Sequence, residues 1–285
     1  MAAPALRTAA LSRARAVSLR LTLVTMHPHL GDKAHNAGVM EAAVKRAKGD
    51  IVAFPEMALS GYVVRDRVHR LAEPFDGPSF ERFSKLAADT GKWILYGFPR
   101  VDDNVRGLVY NSAALVDPDG EVQIYDKRQL ATFGPFEDGL WFTPGRSPGL
   151  FATPWGTLGV SICYDLFFPE LTKAMALAGA DVLLNISASP NTSRRFFEAL
   201  FPARAIENAI PVAYTNFVGA QENLMFWGGA QVWGPRGTLK ARSSYHKEEA
   251  LEVEIDHEET RAARPLRPTL RDSRRESAEE LLDQF

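Results

Sequence analysis

One stretch constrains this chain more than any other: TLGVSICYDLFFPELTKAMALAGADVLLNIS, residues 157–187, which holds its single cysteine. Leu158, Val160 and Ile162 alternate with Gly159, Ser161 and Cys163, the two-residue period of a strand, so a strand ends at Cys163. Tyr164 and Asp165 break the pattern. Pro169 then opens a helix whose Leu171, Met175 and Ala178 share one face, and Gly179 stops it. Val182 to Ile186 reads as the next strand. The stretch is a β-α-β unit, and open α/β sheets bind ligands at the carboxyl ends of their strands, where this thiol falls. A lone cysteine is also at home as a small buried hydrophobe, so context must decide between chemistry and packing.

At 285 residues and 46% hydrophobic composition, the chain can bury a large core as one α/β domain or two fused halves. Its 33 basic and 35 acidic residues are spread along the sequence with a net charge of −2, which offers no electropositive face for nucleic acid. One cysteine excludes an internal disulfide and a thiolate metal cluster and suits a reducing cytosol, so a cytoplasmic location is expected. Among six histidines only His27 and His29 lie close together, flanking Pro28 without a third ligand, and no metal or other cofactor is expected. No apolar run approaches the roughly 20 residues of a membrane span, so no membrane partner is expected. Residues 1–17, with Arg7, Arg13 and Arg15 and no acid, have the composition of a transit peptide and equally of a disordered leader.

Taken in order, Ser18 to Met26 alternates as a first strand, and Asn36 is the expected N-cap of a helix that Gly49 ends. Ile51 to Phe54 is a short buried strand that delivers Glu56 at its carboxyl end, so a first β-α-β unit ends in a carboxylate. Glu56 is either an ordinary surface acid or a functional one wedged between Pro55 and Met57. A helix over 78–91 places Phe80, Phe83, Leu86 and Ala87 on one face, and Trp93 to Phe98 follows as a strand. Ser112 to Val116 and Glu121 to Tyr125 flank the turn DPDG as a hairpin and present Lys127, which taken alone is an ordinary solvated lysine. The aromatic, glycine-rich segment 131–149 is expected to line or cover a pocket. A helix over 191–209 should break or restart at Pro202. Strands at 211–215, 230–233 and 251–255 close the domain, taken as 18–260, and the charge-dense residues 261–285 read as a solvated arm or a subunit contact.

Thiolate chemistry needs a group to take the thiol proton, because a free thiol near pKa 8.5 is mostly protonated at neutral pH. No histidine shares a strand-end context with Cys163, whereas Glu56 does, and apolar neighbours such as Phe54 and Met57 would raise its basicity. Lys127 could supply a fixed ammonium for negative charge building on a carbonyl oxygen.

FPEMALSGY at 54–62, YDKRQL at 125–130 and GVSICYDLFFPE at 159–170 resemble the three ordered signatures of the nitrilase superfamily, the carbon–nitrogen hydrolases. FTPG at 142–145, NISASP at 185–190, FWGGAQV at 226–232 and LRDSRRE at 270–276 are similar to the family as well. The resemblance implies a four-layer αββα sandwich, homodimers or larger homo-oligomers, Glu56 as general base, Lys127 as stabilising cation and Cys163 as nucleophile. It also implies a supporting carboxylate ahead of FTPG. Counting back from Gly145 favours Asp138, residue type favours Glu137, and Glu137 is the choice. Tyr62, Phe133, Tyr164, Pro190 and Asn191 are the expected substrate-binding residues. Many members have histidine where this chain has Gln129, so the packing beneath the lysine is expected to differ. Tyr164-Asp165 after the cysteine looks like the amidase and carbamoylase branches rather than the Trp-Glu of many nitrilases. The expected activity is therefore hydrolysis of a small amide or N-carbamoyl compound through a cysteine thioester. A nitrilase, and a catalytically silent binding protein on the same fold, are the alternatives.

Overall fold

A computed structural model describes residues 18–284; the leader expected at 1–17 lies outside the described residues. In the N-terminal half, strand β1 (Ser18–Thr25) is followed by helix α1 (Lys33–Arg46), strand β2 (Ile51–Ala53), the short helix α2 (Val68–Leu71) and helix α3 (Pro78–Thr90). Strands β3 (Trp93–Val101), β4 (Val109–Val116) and β5 (Val122–Asp126) complete it. Helix α3 begins with proline in its first turn and ends at Gly91 with φ 68°, the left-handed cap that glycine adopts without penalty. Helix α1 starts earlier than expected. Asp32, not Asn36, is its N-cap and accepts from the His35 backbone N–H at 3.0 Å. Asn36 is buried one turn inside, where its side chain bonds the backbone of His29 and Leu59. The helix ends at Ala47, while Gly49 marks a crossing: a Cβ there would sit 2.6 Å from the Thr22 backbone nitrogen.

The C-terminal half runs through α4 (Asp138–Trp141), β6 (Leu150–Thr153), β7 (Gly156–Ile162), a 3₁₀ turn at Cys163–Phe167, α5 (Pro169–Leu177) and β8 (Val182–Ser187). Helix α6 (Arg194–Asn208) and strand β9 (Val212–Asn216) precede the hairpin β10 (Val218–Gln221) and β11 (Leu224–Trp227). Strands β12 (Gln231–Trp233), β13 (Leu239–Arg242) and β14 (Glu249–Asp256) and helices α7 (His257–Leu266) and α8 (Arg275–Leu282) follow. Contrary to expectation, Pro202 sits inside α6 without breaking it. Burial of Phe197, Phe201 and Ala205 on both sides of the proline outweighs its missing hydrogen bond, since each buried phenylalanine contributes about 2–3 kcal/mol. Helix α7 runs across residue 261, so a helix with Thr260 and Ala263 buried stands where a solvated arm was expected to begin.

Two six-stranded sheets form, in the orders β14-β1-β2-β3-β4-β5 and β13-β12-β9-β8-β7-β6. Each has three parallel strands at its heart, β1-β2-β3 and β7-β8-β9, with antiparallel strands outside them. Leu21, Leu23, Leu95 and Leu115 of the first sheet share one buried cluster with Val160, Leu184 and Ala213 of the second, which is the seam between the sheets. Met40, Val44, Phe83 and Leu86 of α1 and α3 cover the outer face of the first sheet, and Met175, Phe197 and Phe201 of α5 and α6 cover the second. The result is the four-layer αββα sandwich that the motifs implied. Because the parallel strands of both sheets end on the same side, the turns after β2, β7 and β8 meet there.

Candidate active site

Strand β2 stops at Ala53, and the chain turns sharply through Pro55 and Glu56 to Met57, which has φ 53°. The turn packs so tightly on β3 that a Cβ at Gly97 would lie 2.4 Å from the Met57 nitrogen and 2.7 Å from the Glu56 Cα. Glu56 is fully buried. Its Oε1 accepts from Lys127 Nζ and from Asn111 Nδ2, each at 2.7 Å, and its Oε2 accepts from the Ala188 backbone N–H at 2.7 Å. A carboxylate offers about four lone-pair sites, so three donors leave one, on Oε2.

Lys127 follows β5 directly and is locked through its backbone: its N–H donates to Asn111 O and its carbonyl accepts from Gly145 N, both at 2.8 Å. The latter contact requires the glycine of FTPG, because a Cβ at 145 would lie 2.0 Å from Asp126 O. The ammonium is buried between Glu56 Oε1 and Asp138 Oδ2, each 2.7 Å away. Asp138 also accepts from Tyr62 Oη at 2.7 Å and from the Ala131 N–H at 3.1 Å. This corrects the choice of Glu137. Residue 137 occupies the position before the first turn of α4, which points its side chain outward to Trp141 Nε1 at 3.1 Å and leaves it 44% exposed.

Strand β7 ends at Ile162, and Cys163 opens the 3₁₀ turn with φ 49°. Its carbonyl accepts weakly from Asn185 Nδ2 at 3.4 Å, and the same amide donates to Ser161 Oγ at 2.9 Å. The buried thiol is within hydrogen-bonding reach of Glu56. Burial pushes the thiol well above its ordinary pKa and the Glu56 charge adds to this, against Lys127, which favours the thiolate. The sulfur is therefore held protonated. For Lys127, burial alone would favour loss of its proton, but Asp138 and Glu56 outweigh it and hold the ammonium well above the usual lysine range. Tyr62 is raised by burial and by Asp138 and stays a hydrogen-bond donor. The structure thus brings Glu56, Lys127, Asp138 and Cys163 together as a thiol, a carboxylate with one open lone pair and a fixed cation.

The remaining expected residues fall around this centre. Phe133, half exposed, packs on Tyr164 at 5.0 Å and on Phe136 at 5.2 Å between ring centroids, and Phe136 meets Tyr62 at 6.4 Å. These four rings form one aromatic wall beside the cysteine turn. Pro190 is buried and bridges to Phe226, whereas Asn191 opens an exposed 3₁₀ turn. A cavity of about 130 Å³ adjoins Tyr62 and is lined also by Arg65, Glu137, Asp138 and Trp141. Among the described residues no group of three or more His, Cys, Asp or Glu side chains is placed to hold a metal ion, and no helix is long and apolar enough to cross a membrane. Asn111 and the Ala188 N–H escaped the sequence reading. Asn111 carried a signal, since asparagine is disfavoured inside a strand unless its side chain has a task.

Both the architecture and the ordered motifs are those of a known family. A family model for carbon–nitrogen hydrolases matches residues 20–265, and the chain belongs to that family, within the nitrilase superfamily. It is 32% identical over 254 residues to a probable nitrilase of Schizosaccharomyces pombe, across 87% of this chain and 91% of that protein. An (R)-stereoselective amidase of a Pseudomonas species is 29% identical over 261 residues, 90% of this chain and 92% of its own. Among solved structures, an amidase from Nesterenkonia sp. matches with a TM-score of 0.80 at 27% identity, covering 92% of this chain and 96% of its own. In a glutamate-to-glutamine variant of that amidase, the acetamide moiety of fluoroacetamide is covalently added at the active-site cysteine.

Proposed function

We propose that this chain is an amide hydrolase that cleaves a small linear amide or N-carbamoyl compound through a thioester on Cys163. The observation that carries the reading is the single open lone pair of Glu56, on the oxygen that can face a thiol held protonated by its surroundings. In the first step Sγ attacks the carbonyl carbon while its proton passes to Glu56, so a buried thiolate is never formed ahead of attack. Negative charge develops on the carbonyl oxygen, and the Lys127 ammonium, already desolvated and fixed, stabilises it without reorganising. Collapse breaks the carbon–nitrogen bond, Glu56 returns the proton to the departing nitrogen, and ammonia or an amine leaves. Water, deprotonated by Glu56, then hydrolyses the thioester to the carboxylic acid and restores the thiol. Tyr62, Phe133 and Tyr164 bound the site with aromatic surface that suits a small substrate.

The Tyr164-Asp165 pair after the cysteine supports an amide over a nitrile. A panel of amides, N-carbamoyl compounds and nitriles assayed for ammonia release distinguishes the two. With a slow amide, intact-mass spectrometry during the burst should find one acyl group on the protein and none on Cys163→Ala, whose turnover should vanish. Turnover retained by Cys163→Ala overturns the covalent mechanism.

A further inference from the structure

We propose that Asp165 is a positioning residue that fixes the spacing between Lys127 and Cys163 by holding backbone from both sheets at once; the proposal rests on the roles assigned to those two residues above. Asp165 is fully buried, and its hydrogen bonds go to Tyr125, Gln129 and Ile162 rather than to the reacting groups. Its Oδ1 accepts from the Gln129 backbone N–H at 2.8 Å, and its Oδ2 accepts from Tyr125 Oη at 2.8 Å and from the Ile162 N–H at 3.0 Å. Tyr125 and Gln129 stand two residues before and two after Lys127, and Ile162 stands immediately before Cys163. One carboxylate therefore straddles the lysine in the first sheet and grips the residue leading into the cysteine turn of the second.

Glu56 also spans the seam, joining Lys127 Nζ to the Ala188 N–H, but it is itself one of the reacting groups, whereas Asp165 acts on the backbone beside Lys127 and Cys163. The Lys127 backbone is held by Asn111 and Gly145, and the Cys163 carbonyl, at the start of the 3₁₀ turn, accepts a side-chain bond from Asn185 at 3.4 Å. A non-glycine residue at φ 49° persists only where its surroundings impose that conformation, and the Asp165 bond to the Ile162 N–H holds the backbone one residue before it. Burial pushes the Asp165 carboxyl up to about 6, opposed by the Ile162 and Gln129 N–H groups, Lys127 and Tyr125. A charge kept in so dry a place needs all three donors. The arrangement also accounts for Gln129: the bracket uses its backbone N–H, so the side chain at this position is free to depart from the family's histidine.

The test is Asp165→Asn, which preserves size but puts a donating NH₂ where an acceptor was, so at most one side of the bracket survives. A displacement of about 1 Å near reacting groups costs about 10²-fold, so kcat should fall by about that factor with KM little changed. Activity is counted per active site, titrated by the acyl burst, so that a loss of folded protein does not register. Because the chain has one cysteine, alkylation by iodoacetamide reads this site alone, and its rate should fall alongside kcat while the melting temperature of the surviving fold is recorded. Wild-type kcat per titrated site in Asp165→Asn, with Cys163→Ala still inactive, overturns the proposal and leaves the amidase reading intact. If Asp165→Asn does not fold, Tyr125→Phe removes one of the three bonds and keeps the ring. A several-fold drop in its kcat per site supports the bracket, and an unchanged value overturns it.

Discussion

The turn after β2 and the turn after β7 each leave a parallel strand at its carboxyl end, and each contains a non-glycine residue in the left-handed region, Met57 at φ 53° and Cys163 at φ 49°. They differ in where the constraint falls. In the first, the strained residue is a buried methionine beside the functional one, and Glu56 itself is clamped by three short hydrogen bonds. In the second, the strained residue is the functional one, and the side-chain bond to its carbonyl is a long one, 3.4 Å from Asn185. A base must present one particular lone pair, so its orientation is over-determined. A nucleophile whose sulfur passes between thiol and thioester must be aimed without being tied down, and a strained backbone turn does that without using the side chain.

The most severe way to break the comparison is to disarm the clamped turn while leaving the strained one intact. Glu56→Gln retains the shape but accepts no proton, and kcat should fall about 10²- to 10⁴-fold. Near-normal kcat, with Cys163 still essential, would show that another group takes the thiol proton. The seam between the turns can be probed through pH. Asp165 has a folded pKa of about 6 against an ordinary 3.8, and Lys127 and Tyr125 are the titratable groups facing it. Its proton is bound more tightly in the folded state, so its contribution to stability is complete below about pH 4 and is lost as pH rises through about 6. The stability of the wild type relative to Asp165→Asn, measured by denaturant unfolding, should thus be greater at pH 4 than at pH 7 by up to about 3 kcal/mol. A difference that stays constant with pH would remove the elevated carboxyl from the account. The smallest expected effect separates adjacent acids. Asp138→Asn should lower kcat roughly 10- to 100-fold, the value of a hydrogen bond to a charged partner, whereas Glu137→Gln should stay within about twofold. The reverse ranking would contradict the geometry at Lys127.

Strand ends were the most legible part of the sequence. Glu56, Lys127 and Cys163 each follow a short apolar run, and helix α3 was bounded by its own proline and glycine. What stayed hidden depends on contacts between distant segments. Glu137 and Asp138 are both carboxylates ahead of the same motif, and only the pairing of residue 138 with the Ala131 backbone decides which one turns inward. Asn36 has the chemistry of a cap, and only the presence of His29 and Leu59 above the helix shows that its amide is used elsewhere. Pro202 is a local helix breaker overruled by packing. The hairpin β10-β11 was missed because its turn at Glu222, with φ 51°, lacks the glycine that announces such turns.

The pairing of β1 with β14, from Ser18 opposite Asp256 to Thr25 opposite Glu249, joins the start of the described chain to its last strand. On a ribosome the partner of β1 is therefore the last strand of the sheet to arrive, on the order of 10–50 s after β1 at typical elongation rates. For that interval the nascent first sheet carries an open edge of alternating leucines, the kind of surface that recruits a neighbouring chain or a chaperone. Yield in a heterologous host should accordingly follow translation speed and holdase supply more closely than it follows the stability of the finished sandwich.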